Sequence, residues 1–306
     1  MNDTLGQPKT DAPGPSTPSH PARSTRRRIA LLVVLVGLCA LAYGLMLILF
    51  GPSDRPVEAH LGKALGDGIV TIYLHPLRVD PVNSSLQMRI SMVPEAVAGA
   101  PAAIGDRNRS LVIQRGNQVE HVAITVGQPL PEVVFDFDLN DGDVRDYPLD
   151  EYRASMTLAV SETGADGKET ALPIHVTLWE GLLGFRVRGR AEPAVGKEAV
   201  GLRLDIRRSG AVSIFGIAVY VAMAVIAICG LLIGGLVFAG VRRVEVTFAG
   251  ALGAIIFAVP ALRAALPGTP PLGIRADVLI FFCAEFGATI ALCLFVASWI
   301  RSGARP

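Results

Sequence analysis

AVSIFGIAVYVAMAVIAICGLLIGGLVFAGV, residues 211–241, is a run of 31 residues without a charged side chain, and it decides the fold class. About 20 apolar residues in a helix cross the ~30 Å hydrocarbon layer of a bilayer, so this run predicts a transmembrane helix. At about 1.5 Å per residue it is roughly 45 Å long, and we expect it to tilt or to project from the bilayer. Gly230 and Gly234 have the i, i+4 spacing that lets two helices approach closely in lipid.

Three further apolar segments predict membrane spans at residues 29–50, 247–266 and 277–300. The segment 51–210 between the first two spans contains no such run. It holds 17 Lys and Arg against 22 Asp and Glu, a net charge of −5, whereas the rest of the chain has a net charge of +6. A mildly acidic soluble domain does not favour nucleic-acid binding, which usually needs a basic face.

The soluble segment 51–210 has the alternation of apolar and polar residues that is typical of β-strands. In the stretch Ser85–Met92, for example, every second residue is apolar. Eight such stretches, separated by Gly, Pro and Asn, predict a β-sandwich or barrel of about eight or nine strands. The predicted fold is therefore a multi-span α-helical membrane protein with an inserted, all-β, sandwich-like extracytoplasmic domain.

The orientation follows from basic residues at the ends of the spans, which favour the cytoplasmic side. A Pro- and Ser-rich tail at residues 1–28, predicted to be disordered, ends in an arginine cluster directly before the first span. This cluster also suits a secretory signal peptide, but a 22-residue apolar run favours an uncleaved anchor. With the N-terminus inside, the β domain lies outside. Arg242 and Arg243 then return to the cytoplasm, as does the tail 301–306.

A short turn inside the β domain, Tyr147-Pro148-Leu149-Asp150, is predicted to be architectural. An aromatic residue before proline favours a cis peptide bond, and the Asp150 carboxylate is placed to accept backbone N–H groups in the turn. The neighbouring acidic stretch 136–151 partly matches a calcium loop. Its glycine falls one place late and its twelfth position is Tyr147, so a strand followed by a solvated turn is the favoured alternative.

Charged residues in the apolar runs form a candidate intramembrane polar site, made of Arg263, Asp277 and Glu285. A charge in hydrocarbon is costly and usually pairs with another charge or faces water. A structural pair of Arg263 with either Glu285 or Asp277 is the favoured reading. The alternative is an ion or proton path, since Asp277 and Glu285 are eight residues apart and close to one face of a regular helix.

No catalytic, metal or cofactor site is expected. The four cysteines lie in the apolar runs, and the five histidines lack metal spacing and are expected at the surface. Arg186, Arg188 and Arg190 share one strand face, and Arg203 and Arg207 share another. These arginines suit anionic lipid head groups, or alternatively form an exposed face balanced by acidic residues.

The segments 147–154, 266–273 and 277–285 resemble a family of uncharacterised actinobacterial and fungal membrane proteins with a domain of unknown function. The resemblance covers most of residues 29–300. It implies one N-terminal span, a β-rich domain and three C-terminal spans, and no activity. We expect a membrane-anchored extracytoplasmic binding or assembly module with partners in the bilayer or envelope. A transporter or channel subunit that uses Glu285 is the alternative, and an envelope enzyme comes third.

Overall fold

The computed structural model describes residues 58–64, 69–93, 107–164, 166–194, 196 and 198–303, with eight positions between 30 and 44. Those eight positions, inside the predicted span 29–50, are helical. The predictions for the tail 1–28, its arginine cluster and residues 304–306 lie outside the described residues.

The β domain contains more strands than the sequence predicted. The described residues contain twelve strands: β1 Glu58–Gly62, β2 Val70–Asp80, β3 Ser85–Val93, β4 Arg109–Arg115, β5 Gln118–Ile124, β6 Val133–Asp138, β7 Glu151–Thr163, β8 Glu169–Leu172, β9 Ile174–Trp179, β10 Gly181–Leu182, β11 Phe185–Glu192 and β12 Val200–Arg208. The prediction of eight or nine strands missed β1, β4, β8 and β10. Strands β8 and β10 are only four and two residues long, too short to show alternation.

The strands form two sheets that enclose one core. One sheet has the order β1-β9-β2-β3-β6, and the other has the order β10-β11-β12-β7-β4-β5, with β8 beside β7. Only β2 and β9 pair in parallel among the described ladders. Ile72 and Leu74 of the first sheet and Leu202 and Leu204 of the second are fully buried in the same cluster. Burying each such side chain stabilises the fold by about 1.5–3 kcal/mol. Because two sheets share this one core, the prediction of a sandwich-like domain is confirmed.

Three helices in the described residues are long and apolar enough to cross a membrane. They are α1 Gly210–Phe238, α2 Val246–Ala264 and a third that begins as a π-helical turn, Asp277–Phe281, and continues as α3 Phe282–Gly303. Helix α1 follows β12 directly. The Ser209 hydroxyl between them accepts a hydrogen bond from the Val212 backbone N–H and so caps the helix.

The third of these helices starts at Asp277, as predicted for the span 277–300, but it ends later than predicted. The span predicted at 277–300 opens with the π-helical turn, and it continues three residues further, to Gly303. Arg301, predicted to lie in the tail 301–306, is therefore helical. Its guanidinium stacks 4.3 Å from the centre of the Phe238 ring at the end of α1, which explains the extra turn.

Helices α1 and α3 approach each other closely at Gly234. A Cβ atom added there would lie 2.4 Å from the Ala291 carbonyl oxygen and 2.9 Å from the Ala291 Cα atom. The next residue, Gly235, has open space at the same position. The absence of a side chain at Gly234 is thus what allows the two backbones to touch.

This contact predicts a difference between two adjacent substitutions. Gly234→Ala should lower the free energy of unfolding by about 1–3 kcal/mol, because the helices must separate to admit the methyl group. Gly235→Ala should cause no loss, since alanine favours helix and meets nothing. Thermal unfolding of the full chain in mild detergent, followed by circular dichroism, measures both. Equal effects of the two variants would contradict the packing.

Candidate functional site

The turn 147–150 lies where the β domain meets the helices. The Tyr147–Pro148 peptide bond is cis, as the sequence predicted. Asp143 caps the preceding short 3-10 helix by accepting a hydrogen bond from the Arg145 backbone N–H at 2.9 Å. The Tyr147 ring belongs to a buried cluster made mostly of helix residues, with Tyr220 and Met223 among them. The β domain therefore inserts a side chain into the end of the helix bundle.

An ion pair between Asp150 and Arg208 fixes this turn, and the Asp150 oxygens accept from side chains and not from the backbone N–H groups that the sequence predicted. Arg208 Nε donates to Asp150 Oδ1 at 2.6 Å, and the two side chains are 4% and 0% exposed. Tyr152 Oη donates to the other oxygen, Asp150 Oδ2, at 2.7 Å. Charge-assisted hydrogen bonds of this kind are the strong ones in proteins. We call Tyr147, Asp150, Tyr152 and Arg208 the junction cluster.

Aromatic rings complete the surroundings of the Arg208 guanidinium. Its central carbon lies 4.6 Å from the centre of the Tyr147 ring and 4.9 Å from that of Phe185. Burial raises the pKa of Tyr147 to about 12. Burial, together with the hydrogen bond to Asp150, also raises the pKa of Tyr152. Both phenols therefore stay neutral at physiological pH and remain hydrogen-bond donors.

Several contacts join the turn to the helices and to the loop after α2. Tyr147 Oη donates to the Pro267 carbonyl at 3.2 Å, and Ser213 Oγ in α1 donates to the Pro148 carbonyl at 2.9 Å. Pro148 packs over Gly216 of α1, where an added Cβ would come within 2.9 Å. These contacts reach two separate parts of the helical region, so the turn is held from more than one side.

A second buried ion pair lies within the helical region. Arg263, near the end of α2, donates from Nη2 to Asp277 Oδ2 at 2.9 Å, and Asp277 is fully buried. Tyr220 Oη donates to Asp277 Oδ1 at 2.9 Å. The same Nη2 also lies within hydrogen-bond distance of the carbonyls of Pro270 and Pro271, at 2.9 and 3.0 Å, and Arg263 Nε donates to Asp277 Oδ1 at 3.3 Å. Both carboxylate oxygens of Asp277 accept from this cation, which lowers the cost of burying the pair.

Glu285 stands apart from this pair. Its Oε2 atom is buried and has no hydrogen-bond partner among the described residues. Of the two pairings that the sequence left open, the structure contains Arg263 with Asp277. It does not bring Glu285 to either residue. Among the described helix residues, Glu285 Oε2 and Ser298 Oγ are the buried side-chain atoms without a hydrogen-bond partner, and Glu285 is the titratable one of the two.

The acidic stretch and the histidines do not form a metal site in the described part of the chain. That part contains no group of three or more metal-ligating side chains with suitable placement. Asp141 instead pairs with Arg153 at 3.4 Å. The expectation that all histidines lie at the surface is wrong for His175, which is 5% exposed because β1 pairs alongside β9. Its Nδ1 lies 2.7 Å from the Lys63 carbonyl.

Sequence reasoning missed Arg208, Tyr152 and Tyr220 as members of these clusters. The position of Arg208 in the sequence was a usable signal. It lies two residues before the start of the apolar helix α1, where a charged side chain is expected to have a specific partner. Its partner Asp150 is 58 residues away in the chain, so spacing alone did not identify the pair. The two tyrosines gave no separate signal. Tyr152 fits the alternating pattern of its strand, and Tyr220 lies in an apolar run.

The junction cluster predicts a large effect from a small substitution. Asp150→Asn should lower the free energy of unfolding by about 3–5 kcal/mol, because it leaves the buried Arg208 cation without a carboxylate. The adjacent Glu151–Arg207 pair, 2.9 Å apart and about half exposed, provides the matched control. Glu151→Gln should cost at most about 1 kcal/mol. Denaturant unfolding of the full chain in mild detergent measures both variants, and similar losses would refute the special role of Asp150.

Comparison with protein-family models gives two adjoining matches. Residues 61–206 match a domain of unknown function, DUF4436, and residues 208–302 match another, DUF8686. The search of curated proteins returned no match. The first matched region contains Asp150 and the second contains Arg208, so the buried ion pair joins the two. Each match is to a domain of unknown function, one over the β domain and one over the three helices.

Proposed function

We propose that this protein is a multi-pass membrane protein whose β domain is a binding or assembly module of the cell envelope, held outside the cytoplasm. The N- and C-termini are cytoplasmic, and the protein performs no catalysis of its own. Its family is the actinobacterial and fungal one that the segments 147–154, 266–273 and 277–285 resemble.

The observation that carries this proposal is the way the β domain is attached. The junction cluster, with the contacts of Pro148 on α1, fixes the orientation of the domain relative to the helices. A module that is already held in one orientation loses less orientational entropy when a partner binds. Such preorganisation increases the affinity for the partner. A flexible tether would be sufficient for mere anchoring, and a fixed attachment therefore favours assembly with a second membrane or envelope component.

The distribution of basic residues supports the proposed orientation. Arg242 and Arg243 follow the end of α1, and Arg301 stacks on Phe238 at that same end. Three arginines thus lie at the end of the helices that is remote from the β domain. At the other end the connecting loop has Arg275, whose guanidinium pairs with Asp146 of the β domain. Counted over the short segments that flank the helices, and not over the long β domain, this asymmetry favours the end with Arg242, Arg243 and Arg301 as cytoplasmic.

Cysteine labelling in intact cells tests the orientation. Asn117, exposed in the turn between β4 and β5, and Gly303, which has open space around it, are suitable sites in a chain freed of its own cysteines. Gly142 is unsuitable, because a side chain there would meet the Glu151 carbonyl at 2.3 Å. A membrane-impermeant maleimide should label Asn117→Cys and not Gly303→Cys until the membrane is permeabilised. The reverse pattern would overturn the proposed localisation.

A transporter or channel subunit is the second candidate, and Glu285 is the observation that favours it. An unpartnered carboxylate within a membrane helix is costly, and such groups often lie on ion or proton paths. If the protein is a binding module, Glu285 has no ion pair to maintain, since Arg263 is already paired with Asp277. Stability and transport measurements together therefore separate the two functions.

The corresponding prediction concerns Glu285→Gln in liposomes and in mild detergent. Its thermal stability should equal that of the wild type, because no cation loses a partner. Asp277→Asn is the control and should be destabilised by about 3–5 kcal/mol, with much of this loss recovered by the double change Arg263→Leu and Asp277→Leu. Wild-type liposomes should show no proton flux, and both wild type and Glu285→Gln should purify with the same stoichiometric envelope partner. Flux that Glu285→Gln abolishes would favour the transporter instead.

A further inference from the structure

An array of arginines covers the outward face of β11 and β12. The antiparallel register places Arg186 opposite Arg207, Arg188 opposite Asp205, and Arg190 opposite Arg203. Two of these three cross-strand pairs consist of two arginines. Like charges in directly opposed positions destabilise a sheet unless something else neutralises them. We call Arg186, Arg188, Arg190, Arg203 and Arg207 the arginine ladder.

The acidic residues near the arginine ladder do not neutralise all of it. A single carboxylate, Asp205, is shared by Arg190 at 3.4 Å, Arg203 at 3.6 Å and Arg153 at 3.8 Å. Beyond this set, Glu192 reaches Arg203 and Glu151 reaches Arg207. Arg186 and Arg188 have no ion pair or side-chain hydrogen bond with any described residue. These two cations are therefore free to bind an anion.

A depression of about 220 Å³ lies beside the two free cations. Its lining includes Arg186, Arg188 and Arg207, the acidic residue Asp205, and Ser209 and Gly210, where α1 begins. The N-terminal end of a helix carries a partial positive charge, which adds to that of the guanidinium groups. The planar guanidinium also binds phosphate oxygens in a bidentate manner. The depression thus combines a size and a charge that suit a phosphate group.

The depression also lies at the level of the membrane surface. Arg208, next to Arg207, packs against Gly268 in the loop that follows α2. Helix α2 has 19 residues and is roughly 28 Å long, which is close to the thickness of the hydrocarbon layer. The loop at its end therefore lies among the head groups. The arginine ladder begins beside that loop, within reach of long arginine side chains.

We propose that the arginine ladder binds the phosphate head groups of anionic phospholipids in the adjacent leaflet. The inference rests on the membrane insertion in the proposed function, and names a ligand class for the β domain. A lipid is favoured over a soluble anion because the depression opens at the height where head groups are held at high local concentration. Binding orders the membrane around the domain and neutralises the opposed Arg186 and Arg207.

The test uses the full chain, purified in a neutral detergent and titrated with phosphatidylglycerol or phosphatidylcholine, with bound lipid counted by native mass spectrometry. The wild type should prefer phosphatidylglycerol. The variant Arg186→Gln with Arg188→Gln should bind it about 25-fold more weakly, since each basic residue near a lipid surface contributes about fivefold. Arg89→Gln is the control, because Arg89 is an exposed arginine of the other sheet with no ion pair among the described residues, and it should leave the preference unchanged.

Three results would overturn the proposal: equal binding of the two lipids by the wild type, an unchanged preference in the double variant, or binding of glycerol phosphate in solution as tightly as of the lipid. The last result would identify a soluble anion as the ligand. Unchanged thermal stability of the double variant shows that it is folded. A failure of the chain to insert into membranes would instead refute the proposed function, and cysteine labelling detects that independently.

Discussion

The ion pair between Asp150 and Arg208 is the constraint on which the arrangement of the chain depends. Arg208 is the last residue of β12, and α1 begins two residues later, so the pair holds the place where strand becomes helix. With Arg208 fixed against Asp150, the Tyr147 ring is held over the guanidinium and packs among the helices. A buried charge without its partner costs far more than an exposed one. Other orientations of the β domain are thereby disfavoured.

The sequence predicted those parts of the fold that depend on local periodicity. The apolar run 211–241 corresponds to α1, and alternation at Ser85–Met92 corresponds to β3, because burial acts on each element separately. Strand β4 was missed because its ends are Arg109 and Arg115 and its inward residues are few. The sequence identified Tyr147 and Asp150 as an architectural turn, but not their contacts with Arg208, because Asp150 and Arg208 are 58 residues apart in the chain.

The polar residues of the helices show the limit of a spacing argument. Eight residues of a regular helix make two turns plus about 80° and rise roughly 12 Å, so Asp277 and Glu285 lie on one broad side of such a helix but at different heights. In the structure this helix opens with a π-helical turn at Asp277–Phe281. Asp277 faces Arg263 and Tyr220, whereas Glu285 meets neither. Nothing in the composition of residues 277–281 marks such a turn.

Strand β12 contributes residues to both the junction cluster and the arginine ladder. Successive side chains of a strand point to opposite faces, so Arg208 faces the junction while its neighbour Arg207 faces outward in the arginine ladder. The loop after α2 is held on both sides, by Tyr147 at Pro267 and by Arg263 at Pro270 and Pro271. The buried junction and the proposed lipid site therefore use opposite faces of one strand, and Arg207 and Arg208 are adjacent residues of it.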